Sequence, residues 1–272
     1  MDTEQRFNDG VHVILVEPEK EGNIGSVARS IKNFGFRHLI LVNPLVPLGD
    51  EAKNYAVHAV DVLDGAEIVR FPDGEESTKA SVLKSLFKRF DIVAGTSCKI
   101  FKERTLHRIP IEIDAFIEDL SRVAGLNNSK IAVVFGNERT GLMNYALNQV
   151  DQLVTIPTSD AYPSLNLSHA ATIFLYELSK LMATSDTRGE IALAPKLKQD
   201  VFLDYFDELV ELTRTPAHKV EKTRRAFKSM VARAHVSSRE LFLLLGVFRT
   251  AVDLARAGRG VKETGTMPRG AY

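Results

Sequence analysis

The chain has a single cysteine, Cys98, in 272 residues. That excludes an intramolecular disulfide framework and a cysteine-rich zinc site. The first residues, Met-Asp-Thr-Glu-Gln-Arg-Phe, are polar and hold no apolar signal segment. No uncharged apolar run reaches the roughly 20 residues that a bilayer-spanning helix needs. A soluble cytoplasmic protein is expected. No Gly-Lys-Ser/Thr phosphate cradle occurs, and the glycines after the first strand are not spaced G-x-G-x-x-G. There is no internal repeat, and net charge is absent too, with 35 basic and 35 acidic residues.

That zero hides a split. Residues 196–272 hold 15 Lys and Arg against 9 Asp and Glu, which leaves 20 against 26 in residues 1–195. An acidic body with a basic tail is the pattern of a chain that meets a polyanion. Apolar residues make up 44% of the sequence, enough for a substantial core. Short apolar runs at 11–16, 38–42, 67–70, 91–95, 130–135 and 152–156 read as strands. Helical stretches at 24–34, 51–62, 75–88 and 166–182 alternate with them, and Gly35 serves as a helix stop. The pattern is α/β: a mostly parallel sheet with helices on both faces. Residues 185–197 read as a linker between a first domain, 1–184, and a small all-helical basic unit, 198–272. Within that unit, helices are expected at 200–213, 217–234 and 237–257, with Ser237 and Glu240 as a capping pair. The tail from Gly258 reads as frayed.

Three loops stand where a strand stops and a helix begins, the place where open α/β sheets bind ligands. The first, Glu17 to Arg29, puts Asn23 and Gly25 at a helix start, suited to anion or backbone contacts. Arg29 follows about two turns later among Val27, Ala28 and Ile31. It is either a site residue or part of an exposed helical stripe. The second loop runs from Phe135 to Gly141. Gly136 would let backbone approach a ligand, Glu138 could bond a polar partner, and Thr140 could cap a following helix. In the third, Ile156-Pro157 leaves a strand and Pro163-Ser164-Leu165-Asn166 enters a helix. Asn166 is either its N-cap or a site residue. His169 reads as a packed core or interface histidine. A fourth element, Thr96-Ser97-Cys98, also follows a strand. Cys98 has basic neighbours but no histidine and acid placed to make it a nucleophile.

These stretches resemble the three signature motifs of the SpoU-type RNA ribose 2′-O-methyltransferases of the SPOUT superfamily. Leu15-Val-Glu-Pro, Gly22-Asn-Ile-Gly-Ser-Val-Ala-Arg-Ser30, Leu41-Val-Asn-Pro44, Gly95-Thr96-Ser97 and Tyr162-Pro-Ser-Leu-Asn-Leu167 are most similar to its TrmJ branch. Members of that branch methylate the ribose of nucleotide 32, cytidine or uridine, in the tRNA anticodon loop. The likeness covers about residues 10–183. It implies a C-terminal trefoil knot, a homodimer, and S-adenosylmethionine held by Thr96, Ser97, Cys98, Gly136, Ile156, Pro163, Ser164 and Leu165. It implies Arg29 as the catalytic group, in the company of Asn23, Glu138 and Asn166. Cys98-Lys99 replaces the small residue and arginine of many bacterial members, which bears on side-chain contacts there. The reaction requires no metal.

A tRNA partner calls for basic surface. Lys99, Lys102, Arg104 and Arg108 cluster after the fourth strand, and Lys222, Arg224, Arg225 and Lys228 share one helix of the tail. An rRNA target, or an RNA-binding module without activity, are the alternatives. A dinucleotide oxidoreductase ranks far lower, without the glycine fingerprint or a ribose-binding acid.

Overall fold

The computed structural model describes residues 3–98, 110–124, 126–183, 191–192, 194–213, 215–234 and 236–263. The chain divides into two compact units, Met1–Ile191 and Ala192–Tyr272. Among the described residues, no helix is long and apolar enough to cross a membrane.

The first unit is built on seven strands: β1 (Val11–Val16), β2 (His38–Val42), β3 (Glu67–Val69), β4 (Ile92–Thr96), β5 (Ile111–Glu112), β6 (Ile131–Phe135) and β7 (Gln152–Thr155). They lie in the order β3-β2-β1-β6-β4-β7-β5, and every neighbouring pair is parallel. The chain builds outward from β1 through β2 to β3, then returns to the other side with β4. β6 then enters between β1 and β4, and β7 after it between β4 and β5, so the switch in strand order falls at the centre of the sheet. The central strands are apolar nearly throughout because helices cover both faces.

Side-chain alternation sorts the two faces. Ile14, Val16, Ala132 and Val134 meet Leu83, Leu86 and Phe87 of α5 (Glu76–Phe87) and Tyr145 and Ala146 of α7 (Asn144–Leu147). The other face carries Phe135, whose ring stands edge-on at 6.1 Å to Phe174 of α8 (Leu167–Ala183). Phe116 of α6 (Ile113–Ser121) joins Phe174 from the far side, at 5.7 Å. The helix α2 (Glu21–Asn33) packs beside α8, where Ser30 and Thr172 share a 2.7 Å hydrogen bond. Gly35, at φ +80°, closes α2, with the Phe36 N–H bonded back to the Ile31 carbonyl.

The expected helix at 51–62 is broken. It forms as α3 (Asp50–Ala56), a 3-10 turn at Val57–Ala59 and α4 (Val60–Asp64), with Val57 at φ +55°. A β-branched residue there is strained and ends α3. α1 (Thr3–Gly10), β5 and α6 add elements for which no expectation was stated.

The second unit holds α9 (Lys196–Leu212), α10 (Ala217–Arg233) and α11 (Ser238–Glu263). Phe202, Val231 and Leu241 form its core with Phe227, Leu245 and Phe248 around them. Phe206 and Phe227 stack at 3.7 Å. The capping pair forms in both directions: Ser237 N–H and hydroxyl donate to Glu240 at 2.8 and 2.6 Å, and Glu240 N–H donates to Ser237 Oγ at 3.2 Å. α11 continues past Gly258 to Glu263 instead of fraying there.

Candidate active site

The loops after β1, β4, β6 and β7 meet at the carboxyl edge of the sheet. A cavity of about 550 Å³ lies there, walled by Thr96 at the end of β4 and Ser97 after it, Phe135 at the end of β6 and the loop to Met143, and Val154 of β7 with Ile156 and Pro163–Leu165 beyond it. All eight residues expected to hold a cofactor line this one cavity: Thr96, Ser97, Cys98, Gly136, Ile156, Pro163, Ser164 and Leu165. Thr96 is turned by its own hydroxyl, which donates to the Val134 carbonyl at 3.2 Å.

Of the four expected catalytic residues, only Glu138 touches the cavity. It is the first link of a polar chain. Glu138 accepts from Asn23 Nδ2 at 3.0 Å, and Asn23 Oδ1 accepts from Asn166 Nδ2 at 3.1 Å. Asn166 Oδ1 in turn accepts from the Ser168 N–H at 2.8 Å, so the residue caps α8 and ties the loops at once. The other Glu138 oxygen takes the Glu19 N–H at 2.9 Å. Asn23 is buried, so its two bonds are made without competing water, and losing either would leave a desolvated group. Arg29 lies outside this chain. It is exposed on α2 and has no hydrogen-bond or ion-pair partner among the described residues.

Two of the glycines also serve close backbone approaches within the fold. A Cβ on Gly136 would lie 2.1 Å from the Gly141 carbonyl carbon, so Gly136 lets its loop fold back on itself. A Cβ on Gly25 would lie 2.1 Å from the Ala52 carbonyl oxygen, so Gly25 serves the crossing of α2 and α3. Thr140 caps no helix. Asn137 Oδ1 accepts from the N–H groups of Arg139 and Thr140 at 2.9 and 3.2 Å, which makes a turn, and α7 begins only at Asn144. His169 is exposed, neither core nor packed.

A second polar cluster supports the site from behind. Glu17 receives the Tyr145 hydroxyl at 2.6 Å, Lys79 Nζ at 2.9 Å and Asn43 Nδ2 at 3.2 Å. Burial works against its charge, but the hydrogen bonds from Tyr145 and Lys79 outweigh it and hold the carboxyl below its ordinary pKa. Tyr145 is pushed up, by burial first and then by Glu17. The Glu17 carbonyl accepts from Asn137 Nδ2 at 2.9 Å, while Glu19 pairs with Arg139 Nε at 3.0 Å. Glu17 and Asn43 both adopt left-handed backbone, at φ +52° and +47°. Each precedes a proline, which favours extended backbone at that position. The motif Leu-Val-x-Pro, which occurs twice, was the available signal for this cluster.

In the second unit, Arg224 pairs with Glu211 and lies 3.6 Å from Asp207, and Arg225 holds Glu221 at 2.7 Å. Lys222 is exposed and Lys228 is half-buried. Lys99, Lys102, Arg104 and Arg108 lie outside the described residues.

An open parallel sheet with strand-end loops enclosing a mixed polar and apolar cavity at its carboxyl edge defines an α/β ligand-binding enzyme fold. Residues 10–176 match the SpoU rRNA Methylase family, and the chain belongs to that family. It is 34% identical over 241 residues to the tRNA (cytidine-2′-O-)-methyltransferase TrmJ of Methanocaldococcus jannaschii, covering 88% of this chain and 98% of that one. The tRNA (cytidine/uridine-2′-O-)-methyltransferase TrmJ of Salmonella choleraesuis is 32% identical over 248 residues, 87% and 94% of the two chains. The fold matches crystalline TrmJ from Z. mobilis with a TM-score of 0.60 at 23% identity, covering 88% of this chain and 97% of that one. It also matches a probable methylase family protein of Haemophilus influenzae, with a TM-score of 0.58 at 25% identity and coverage of 92% and 99%.

Proposed function

We propose that this protein is a tRNA ribose 2′-O-methyltransferase of the TrmJ type, acting on nucleotide 32 of the anticodon loop with S-adenosylmethionine as methyl donor. The observation that carries the reading is the convergence of eight expected residues on one cavity. Its size lies within the range of small-molecule sites. Phe135, Leu142, Ile156 and Leu165 offer apolar wall to a purine, and the hydroxyls of Ser97 and Ser164 offer polar contact to a sugar or an amino-acid moiety. The donor set therefore fits a nucleoside sulfonium. Bound there, that group supplies an electrophilic methyl and a neutral thioether leaving group.

The chain's own task is alignment and charge control. Arg29 is the group assigned to the 2′-oxygen. A guanidinium holds its proton tightly and presents a planar fork of N–H donors, so Arg29 acts as a forked clamp and not as a base. It steadies the developing negative charge while the hydroxyl proton leaves to a phosphate oxygen or to water. Glu138, Asn23 and Asn166 act by fixing the loops around the cavity. Because Arg29 stands apart from that cavity within one chain, the reading includes a homodimer in which two copies complete each site. The helical unit supplies tRNA affinity through Lys222, Arg224, Arg225 and Lys228, with Lys99, Lys102, Arg104 and Arg108, which follow Cys98 in sequence, adding to it. The knot is part of this reading, supported by the late entry of β6 between β1 and β4. A tRNA substrate places the protein in the cytoplasm.

The test is methyl transfer from labelled S-adenosylmethionine to unmodified tRNA, with nuclease mapping of the product and Arg29→Ala alongside. A single ribose methyl at nucleotide 32, lost in the variant, is the expected result. Cofactor binding without transfer to tRNA would move the target to rRNA, and no cofactor binding would leave an RNA-binding module.

A further inference from the structure

Helix α11 buries one side and leaves the other bare. Leu241 enters the aromatic core and Val252 is buried, whereas Phe242, Leu243, Val247 and Leu254 are 64% to 77% exposed. At 100° per residue these four share a face with Arg239, Gly246, Thr250 and Asp253. Positions 239, 243, 246, 250 and 253 step by four and three in turn, the spacing of a seam between two helices. We infer that this face pairs with α11 of a second copy of the chain, antiparallel, about a two-fold axis at Gly246.

The charges choose both the partner and the direction. A two-fold contact must be self-complementary, with residue i meeting j and j meeting i. Arg239 and Asp253 lie seven residues on either side of Gly246, and neither has a partner among the described residues. Antiparallel pairing sets Arg239 against the partner's Asp253, twice. Parallel pairing would oppose like charges at both ends. A Cβ on Gly246 would meet nothing within 4 Å, so the crossing point is open and the two backbones can approach closely there. The exposed apolar stretch from Phe242 to Leu254 runs about 18 Å along the helix, more than an isolated surface residue. RNA is the poorer occupant, because Asp253 repels phosphate and aliphatic side chains give it little.

The test uses the full-length chain carrying Cys98→Ser, with Gly246→Cys as the probe and Leu244→Cys, off the face, as control. Oxidation with copper phenanthroline should link the 246 probe into a dimer and leave the 244 control mostly monomeric on a non-reducing gel. Asp253→Arg should lower the yield roughly tenfold, and Arg239→Asp combined with Asp253→Arg should restore it. Linking at 246 no higher than at 244 overturns the inference. So does a charge reversal that changes nothing or that its counterpart fails to rescue. Loss of the 246 link on saturation with tRNA would assign the face to RNA instead.

Discussion

The two ends of β1 are five residues apart and do opposite things with polar groups. At the amino end, His12 stacks on His38 at 4.4 Å and meets Phe90 edge-on, and nearby Arg89 pairs with Glu67 at the surface. These contacts close the base of the sheet and hold only the short turn between α5 and β4. At the carboxyl end, Glu17 and the loop after it hold Tyr145, Lys79, Asn43 and Asn137, and through them the wall of the cavity. A parallel sheet makes this difference inevitable. Every strand exits at the same edge, so that edge collects the loops and the helix N-termini. Function follows the edge.

The largest effects should come from the cavity loops. Gly136→Ala forces backbone against backbone at 2.1 Å, and overpacking of about 3 kcal/mol should lower S-adenosylmethionine affinity roughly a hundredfold by calorimetry. Unchanged affinity would show that the loop does not shape the cavity. Asn23→Ala leaves Glu138 and Asn166 without their shared partner. Stability should fall by about 2 kcal/mol, and methyl transfer should fall further than that loss explains. A double-mutant cycle with Asn166→Ala measures their coupling.

At the other end of β1, burial first, and then the neighbouring His38, lowers the His12 pKa from 6.5 to about 4. The unfolded chain then binds a proton that the native chain refuses. Stability should therefore decline as pH falls from 6.5 to 4, by roughly 1–2 kcal/mol once solvent screening is allowed for. His12→Phe should flatten that slope in urea titrations. Glu17 answers in a different window. Its lowered pKa contributes stability above its ordinary value of 4.5, which is lost as pH falls below it. Glu17→Gln should remove only this acid limb, so the two ends of one strand titrate separately. The smallest effect belongs to Arg89→Gln, whose exposed pair with Glu67 should be worth less than about 1 kcal/mol by thermal melting.

Most of the sheet was legible because its strands are short apolar runs with glycine or proline after them. β4 shifted by one residue, to Ile92–Thr96, and β6 and β7 began and ended within one residue of expectation. α3 was harder, since the left-handed turn at Val57 contradicts the preference of valine. The cofactor loops were legible as motifs, and the resemblance carried their roles. Asn23, Glu138 and Asn166 were legible as names but not as a chain. Their mutual bonds span 115 and 143 residues of sequence, and no local pattern encodes such a distance. The Glu17 cluster went unread for the same reason: Tyr145 lies 128 residues away.

The sequence by itself determined the class of fold, the order of most of its strands and helices along the chain, and the capping of α11 by Ser237 and Glu240, because these rest on apolar patterning and on neighbours within a few residues. Only the tertiary structure decided that Gly25 serves the crossing of α2 and α3, while Gly136 both folds its loop and lines the cavity. It also decided that Arg29 stands exposed and apart from Glu138, and that α11 leaves an apolar face bare. Those facts depend on where distant segments come to rest, and the free energy that sets them is packing and desolvation summed over the whole chain.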